Sequence, residues 1–228
     1  MKEKKILKEV DAFTTVYLVD PLAVRLAYLL SRYNRISPNL ITTVSLSLGI
    51  ISAISFCIGK EIFGALFYYL SFLFDCVDGK LARITGKASL FGAFYDALVD
   101  WTVAYSIYLG IAYNSLSYEP KITYAMLLFI ISKLLYIRII HYKGKIYKTY
   151  ETQEEDKKIS IPTFGRAKLI PDAIDWDFLI IILPTVVNMR RLRLFILIIG
   201  AVFYILLSCV NSYILLKSLR MSNDLKGS

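Results

Sequence analysis

A single histidine, His141, leaves the chain no material for a Ser/His/Asp or Cys/His centre unless that one residue serves. At the end of a helix it reads as an ordinary polar residue. The three cysteines, Cys57, Cys76 and Cys209, stand in apolar runs without paired spacing, which argues against a disulfide framework and a zinc site. There is no internal repeat, no low-complexity tract and no Gly/Ser linker, so one integral membrane domain is expected. No secretory signal is expected either: Met1 to Val10 is basic, but Asp11 and Asp20 interrupt any short apolar core behind it. Acidic side chains are outnumbered, 18 against 27 basic ones, for a net charge of +9. In a soluble protein that excess would raise nucleic acid as a partner. Here 57% of the residues are hydrophobic and apolar runs near twenty residues recur, long enough to cross a bilayer. The excess is then loop charge on one side of a membrane, and no nucleic-acid partner is expected.

The pattern predicts an all-α integral membrane protein, with six transmembrane helices preceded by an amphipathic interfacial helix. Residues 1–37 hold a charged tail and that helix, 38–217 the six-helix transmembrane domain, and 218–228 a polar C-terminal tail. Asp20-Pro21 has the form of an N-cap followed by proline at the first helical position. Leu22, Leu26, Leu29, Leu30 and Tyr33 then recur at helical spacing, as on a helix lying in the membrane interface. Ser37-Pro38 repeats the signal before span one, Asn39 to Ile58. Span two runs from Ile62 towards Gly79, followed by a basic loop with Lys80, Arg83 and Lys87. Spans three and four cover Ser89 to Tyr113 and Lys121 to Ile140. A polar segment from Tyr142 to Lys168, with an acidic run at Glu151 to Asp156, reads as a cytoplasmic loop. Span five begins near Pro171 with a kink expected at Pro184, and span six covers Leu192 to Lys217. Lys and Arg outside the spans concentrate in the tails and in loops 2–3 and 4–5, with Arg190, Arg191 and Arg193 as a local exception. That asymmetry places both termini in the cytoplasm.

Everything is organised around DCVDGKLARITGKASLFGAFYDALVD, Asp75 to Asp100. Asp75 and Asp78 are three apart and Asp96 and Asp100 four apart, so each pair shares a helix face. A carboxylate in a lipid-embedded helix costs about 2.5–3.5 kcal/mol on insertion scales, which makes it a functional-site hypothesis by default. Four facing one another repel unless cations sit between them, and two divalent ions neutralise four charges. Oxygen-only ligands select Mg2+ or Mn2+ over zinc. Gly79 and Gly92 let a substrate approach the backbone, and Arg83 can take a phosphate bidentately. Those ingredients describe phosphoryl-type transfer from a diphosphate at a membrane surface.

Asp75, Asp78, Gly79, Ala82, Arg83, Gly92, Asp96 and Asp100 fit D-x2-D-G-x2-A-R-x8-G-x3-D-x3-D without departure. This resembles the signature of the CDP-alcohol phosphatidyltransferases. The resemblance implies transfer of a substituted phosphate from a CDP-linked donor to an alcohol, with release of CMP. It implies a metal pair on Asp75, Asp78 and Asp96, and Asp100 as the base that deprotonates the acceptor while lying near a metal. It further implies that Gly79, Ala82, Arg83 and Gly92 surround the cytidine diphosphate, and that the chain forms a homodimer.

Other residues carry weaker signals. Asn39 and Thr42 begin span one in a Pro-Asn-x-x-Thr context similar to the family's nucleotide pocket, with plain capping as the bland alternative. Lys133, Arg138 and Arg166 are candidates for an acceptor pocket, although snorkelling and loop bias also account for such cations. Expected partners are a CDP-linked lipid donor (CDP-diacylglycerol or an ether-lipid equivalent), a small polar alcohol and membrane lipid. A soluble CDP-alcohol with a lipid acceptor would use the same motif. An intramembrane prenyltransferase and a divalent-cation transporter are the rival classes, and neither explains the Gly-x2-Ala-Arg-x8-Gly connection.

Overall fold

Two proline-led starts set the first helices. The computed structural model describes residues 6–33, 35–150, 163–168, 170–187 and 189–226. A π-helical turn at Thr15–Val19 leads directly into α1, Asp20–Ser31. Asp20 was expected to cap α1, and it does not. Helical backbone is already under way at Thr15, and the Asp20 side chain, 3% exposed, pairs with Lys80 Nζ at 2.7 Å and Arg166 Nη2 at 3.1 Å. A buried carboxylate needs compensating charge more than a terminal N–H needs an acceptor. Ala23 and Ala27 continue along α1 the buried face that Val19 begins in the preceding turn, while Leu22 and Leu29, and Tyr33 just beyond the helix, stay exposed. The small residues thus pack inward, and the large apolar ones face where a membrane interface would lie.

Ser37 behaves as predicted. It is extended, and its hydroxyl accepts from the Leu40 N–H at 3.2 Å, opening α2, Pro38–Cys57. A turn at Gly59, φ +77°, leads to α3, Glu61–Thr85. α3 continues through Gly79, so Lys80 and Arg83 belong to the helix and only Lys87 to the loop. Gly86, φ +67°, ends α3 with its N–H on the Ala82 carbonyl, a left-handed C-cap. Ser89 then caps α4, Leu90–Leu116, by accepting from the Gly92 N–H at 3.0 Å. That short connection, with both helices packed on α2, turns the two acidic segments towards one another.

α5 spans Pro120–Tyr150, well past the Ile140 expected. The acidic run at 151–156 lies outside the described residues. β1, Thr163–Phe164, and β2, Ala167–Lys168, make a small antiparallel hairpin that sequence patterning did not anticipate. Asp11 bridges to it in parallel with Ala167, accepting from Lys168 N–H and donating its own N–H to Arg166 O. α6, Ala173–Val186, opens with a capping box between Asp172 and Asp175. α7 runs Arg190–Lys226, so most of the expected polar tail continues the last helix.

By length and composition α2, α3, α5 and α7 can each cross a membrane, with mean hydropathies of 2.0, 1.4, 1.8 and 2.5. α6 is short at 14 residues, and α4 carries Asp96, Asp100 and several tyrosines. One core joins α2 to α7 through Phe56, Tyr108, Phe129, Ile180 and Leu197; a second seats α1 on Ile41, Leu73, Val77 and Leu81. Small hydroxyls fasten α2 to α3: Ser45 Oγ donates to Ser71 O at 2.9 Å, Ser71 Oγ to Ser45 O at 2.8 Å, and Ser52 Oγ to Gly64 O at 2.7 Å. At the far end, Pro184 sits inside α6 and cannot donate to the Ile180 carbonyl. Arg193, 1% exposed, supplies that donor from Nε at 3.3 Å, while its Nη2 holds Glu61 at 3.0 Å and Thr185 at 2.9 Å.

Candidate active site

α3 and α4 bring the acidic residues together. One oxygen from each of Asp75, Asp78 and Asp96 lies within 4.8 Å of the others. Asp100 stands one turn further along α4, and with Asp75 it lines an adjoining cavity of about 190 Å³. Asp78 is held by the Thr42 hydroxyl, which donates to its Oδ2. Asp75 Oδ1 is buried and has no hydrogen-bond partner among the described residues. Three clustered carboxylates with a buried acceptor unmet form a hard, oxygen-only donor set, which fits Mg2+ or Mn2+.

The nucleotide candidates flank this cluster. A Cβ on Gly92 would meet Ser89 Oγ at 3.1 Å and Asn39 Oδ1 at 3.3 Å, so Asn39 reaches the start of α4. At Gly79 a Cβ would meet nothing nearer than the two terminal nitrogens of Arg83, at 3.8 Å. The guanidinium of Arg83 therefore lies over the glycine, and its Nε donates to Ile6 O at 2.7 Å. Ala82 is half-buried beside it. Thr42 touches Asp78 directly.

The acceptor candidates go to three different places. Lys133 is buried and lines the cavity, donating to Asp177 Oδ1 at 2.6 Å and Tyr108 OH at 3.2 Å. Arg138 is exposed; its Nη2 donates to Tyr142 OH at 3.0 Å, with the guanidinium 4.7 Å from that ring's centroid. Arg166 pairs with Asp20 and does not line the cavity beside Asp75. Lys133 alone of the three lines that cavity.

Sequence reasoning missed Asp177. Its carboxylate accepts from both Lys133 and the Tyr108 hydroxyl, and it lines the cavity with Tyr68 and Tyr105. A signal was present in Pro-Asp-Ala-Ile-Asp-Trp-Asp. The capping box consumes Asp172 and Asp175, and Asp175 also receives the Thr14 N–H and hydroxyl. The third carboxylate was left over.

Comparison with known proteins identifies the family. Over 125 residues the chain is 31% identical to a bifunctional IPC transferase and DIPP synthase of Thermococcus kodakarensis, covering 55% of this chain and 28% of that protein. Over 81 residues it is 33% identical to an archaetidylinositol phosphate synthase of Pyrococcus horikoshii, covering 36% and 43%. The chain thus spans less than half the length of these curated relatives. A Mycobacterium tuberculosis phosphatidylinositol phosphate synthase with CDP-DAG bound shares the fold, at TM-score 0.64 and 16% identity over 86% of this chain and 94% of that one. The same enzyme in complex with manganese and citrate matches at TM-score 0.65 and 16% identity, covering 85% and 88%. Residues 35–222 match the profile of the CDP-alcohol phosphatidyltransferases, and the chain belongs to that family of membrane-embedded phospholipid-synthesis transferases.

Proposed function

We propose that this chain transfers a substituted phosphate from a CDP-linked lipid, CDP-diacylglycerol or an ether-lipid equivalent, to the hydroxyl of a small polar alcohol. The observation that carries this reading is the convergence of Asp75, Asp78 and Asp96 beside a cavity that Asp100 lines. Divalent cations held by Asp75, Asp78 and Asp96, with Asp100 near, would neutralise the donor's diphosphate and the charge that develops on it. Asn39, Gly79, Ala82, Arg83 and Gly92 cradle the cytidine diphosphate, and Thr42 keeps Asp78 turned towards the cluster. Asp100 takes the proton from the acceptor hydroxyl. The freed oxygen attacks the phosphorus that bears the lipid, the bond from that phosphorus to the bridging oxygen breaks, and CMP leaves. Lys133, Asp177 and Tyr105 form the polar wall against which the acceptor lies, with Tyr108 behind Lys133 and Asp177.

α4 and α6 complete six spans with the four more apolar helices. The site then opens to the cytoplasm, α1 and residues 1–37 lie at that surface, 38–217 form the catalytic domain, and two copies associate. Release of CMP from CDP-diacylglycerol by the purified protein, with Mg2+ or Mn2+ and a panel of phosphorylated and free alcohols, tests the reading. Dependence on one alcohol supports it. Activity only with a soluble CDP-alcohol and diacylglycerol would reverse donor and acceptor, and silence with every cytidine donor would defeat it.

A further inference from the structure

On the α1 side of α3 lies a second cavity, of about 330 Å³. We propose that it binds a phosphate group, through Arg25 and Arg166, and that the phosphate belongs to a membrane phospholipid. Its lining shares no residue with that of the cavity beside Asp75 and Asp100. Lys80, which pairs with the cavity residue Asp20, follows Asp78 by two positions and so points to the other side of α3. The two linings lie on different sides of α3, and the contact from Arg83 Nε to Ile6 O at 2.7 Å joins their edges.

Charge at the cavity is set by four groups. Asp20 is neutralised by Lys80 at 2.7 Å, and Arg166 Nη2 adds a second cation at 3.1 Å. One carboxylate therefore faces two cations, and Arg25 adds a third. Arg25 is exposed and makes no ion pair among the described residues. Arg166 Nη1 is shielded from solvent and has no hydrogen-bond partner among them either. A buried guanidinium donor left unmet beside a cavity marks where an acceptor oxygen would be gained. Guanidinium groups suit phosphate because their paired N–H vectors match two oxygens at once.

The remaining walls, Ile6, Leu7, Val16, Pro21 and Val24, are apolar. Inorganic phosphate has no use for them, whereas the first carbons of a lipid do. This choice of source rests on α1 lying in the membrane interface, with Leu22, Leu29 and Tyr33 outward.

The test uses the full chain in detergent and reads its thermal unfolding against three probes. These are short-chain phosphatidic acid, glycerol 3-phosphate as its chain-free counterpart, and short-chain phosphatidylcholine. Phosphatidic acid is expected to raise the melting temperature most. Arg25→Gln is expected to weaken that response by about tenfold in apparent affinity, as loss of one charged hydrogen-bonding partner does. Arg166→Lys, which keeps the charge on Asp20, is expected to fold and to weaken it less. CMP release by Arg25→Gln from the CDP-linked donor, without added phosphatidic acid, should equal that of the unaltered chain, so the second site fails or stands independently of the first. An equal response of Arg25→Gln and the unaltered chain to phosphatidic acid overturns the site. A response to glycerol 3-phosphate as strong as to phosphatidic acid overturns the lipid source and keeps the phosphate.

Discussion

The hydroxyl of Thr42, on α2, donates to Oδ2 of Asp78, on α3. Of the carboxylates in the cluster, Asp78 is thus oriented by a partner outside the motif. Thr42 also donates to the Pro38 carbonyl at 3.2 Å, which ties the contact to the start of its own helix. Groups that orient a metal ligand are typically worth about 10–100-fold in metal affinity. Thr42→Val is accordingly predicted to raise the Mg2+ concentration needed for half-maximal CMP release by that factor, with Thr42→Ser near the unaltered chain. An unchanged Mg2+ requirement in the valine variant would show that the contact does not serve metal binding.

Asp100→Asn removes the proposed base and keeps the shape. Transfer should fall by about 10²–10⁴-fold, the usual contribution of general-base catalysis. Binding of the CDP-linked donor, read as thermal protection, should persist. Normal turnover by this variant would refute the assignment.

Chelation of divalent ions should stop CMP release, and Mg2+ or Mn2+ should restore it. Zn2+ should restore it poorly, because the clustered ligands of Asp75, Asp78 and Asp96 are all oxygens. Activity that persists in excess chelator would show that the cluster serves another purpose.

Lys133 and Asp177 are an ion pair with side chains only 7% and 13% exposed. Lys133→Met leaves the carboxylate with Tyr108 as its remaining partner. Breaking a buried pair from one side typically costs about 3–5 kcal/mol. Thermal unfolding should show that loss, and Lys133→Met with Asp177→Leu together should recover most of it without recovering transfer. A single variant as stable as the parent would mean that the pair contributes little to folding.

The same substitution at two glycines should separate packing from chemistry. A Cβ on Gly110 would lie 2.5 Å from the Ala53 carbonyl oxygen, which is backbone and cannot swing aside. Gly110→Ala is predicted to destabilise by about 1–3 kcal/mol. Gly79→Ala meets only the flexible end of Arg83, so the protein should fold normally and lose donor affinity. Equal stability losses at both positions would contradict the proposed role of Gly79.

The clustering of Asp75, Asp78 and Asp96 was legible because its information is local. Spacings of three and four residues determine a helix face, and a short capped turn sets one face against the other. Long-range pairs leave no such trace. Asp177 meets Lys133 across 44 positions of sequence, and nothing in either segment names the other. Asp20 misled for a related reason: Asp-Pro is a strong local start signal, and tertiary pairing with Lys80 and Arg166 overrode it. The limits of α5 and α7 were misjudged because polar residues end a hydrophobic run without ending a helix. Arg190 and Arg193, which stood out as misplaced positive charge, both reach Glu61, at 3.6 and 3.0 Å, so their pairing is internal to the protein.

Pro184 takes a donor away from Ile180, and Arg193 returns one from the neighbouring helix. The order in which the two residues change therefore matters. Losing the proline first is nearly silent, since an alanine there brings its own N–H to the same carbonyl. Losing the arginine first strands that carbonyl and takes one partner each from Glu61, which keeps Arg190, and Thr185, which keeps the Ile181 carbonyl. Change at this corner therefore has a preferred order: once the proline is gone, replacing Arg193 no longer strands the Ile180 carbonyl and costs only its contacts to Glu61 and Thr185.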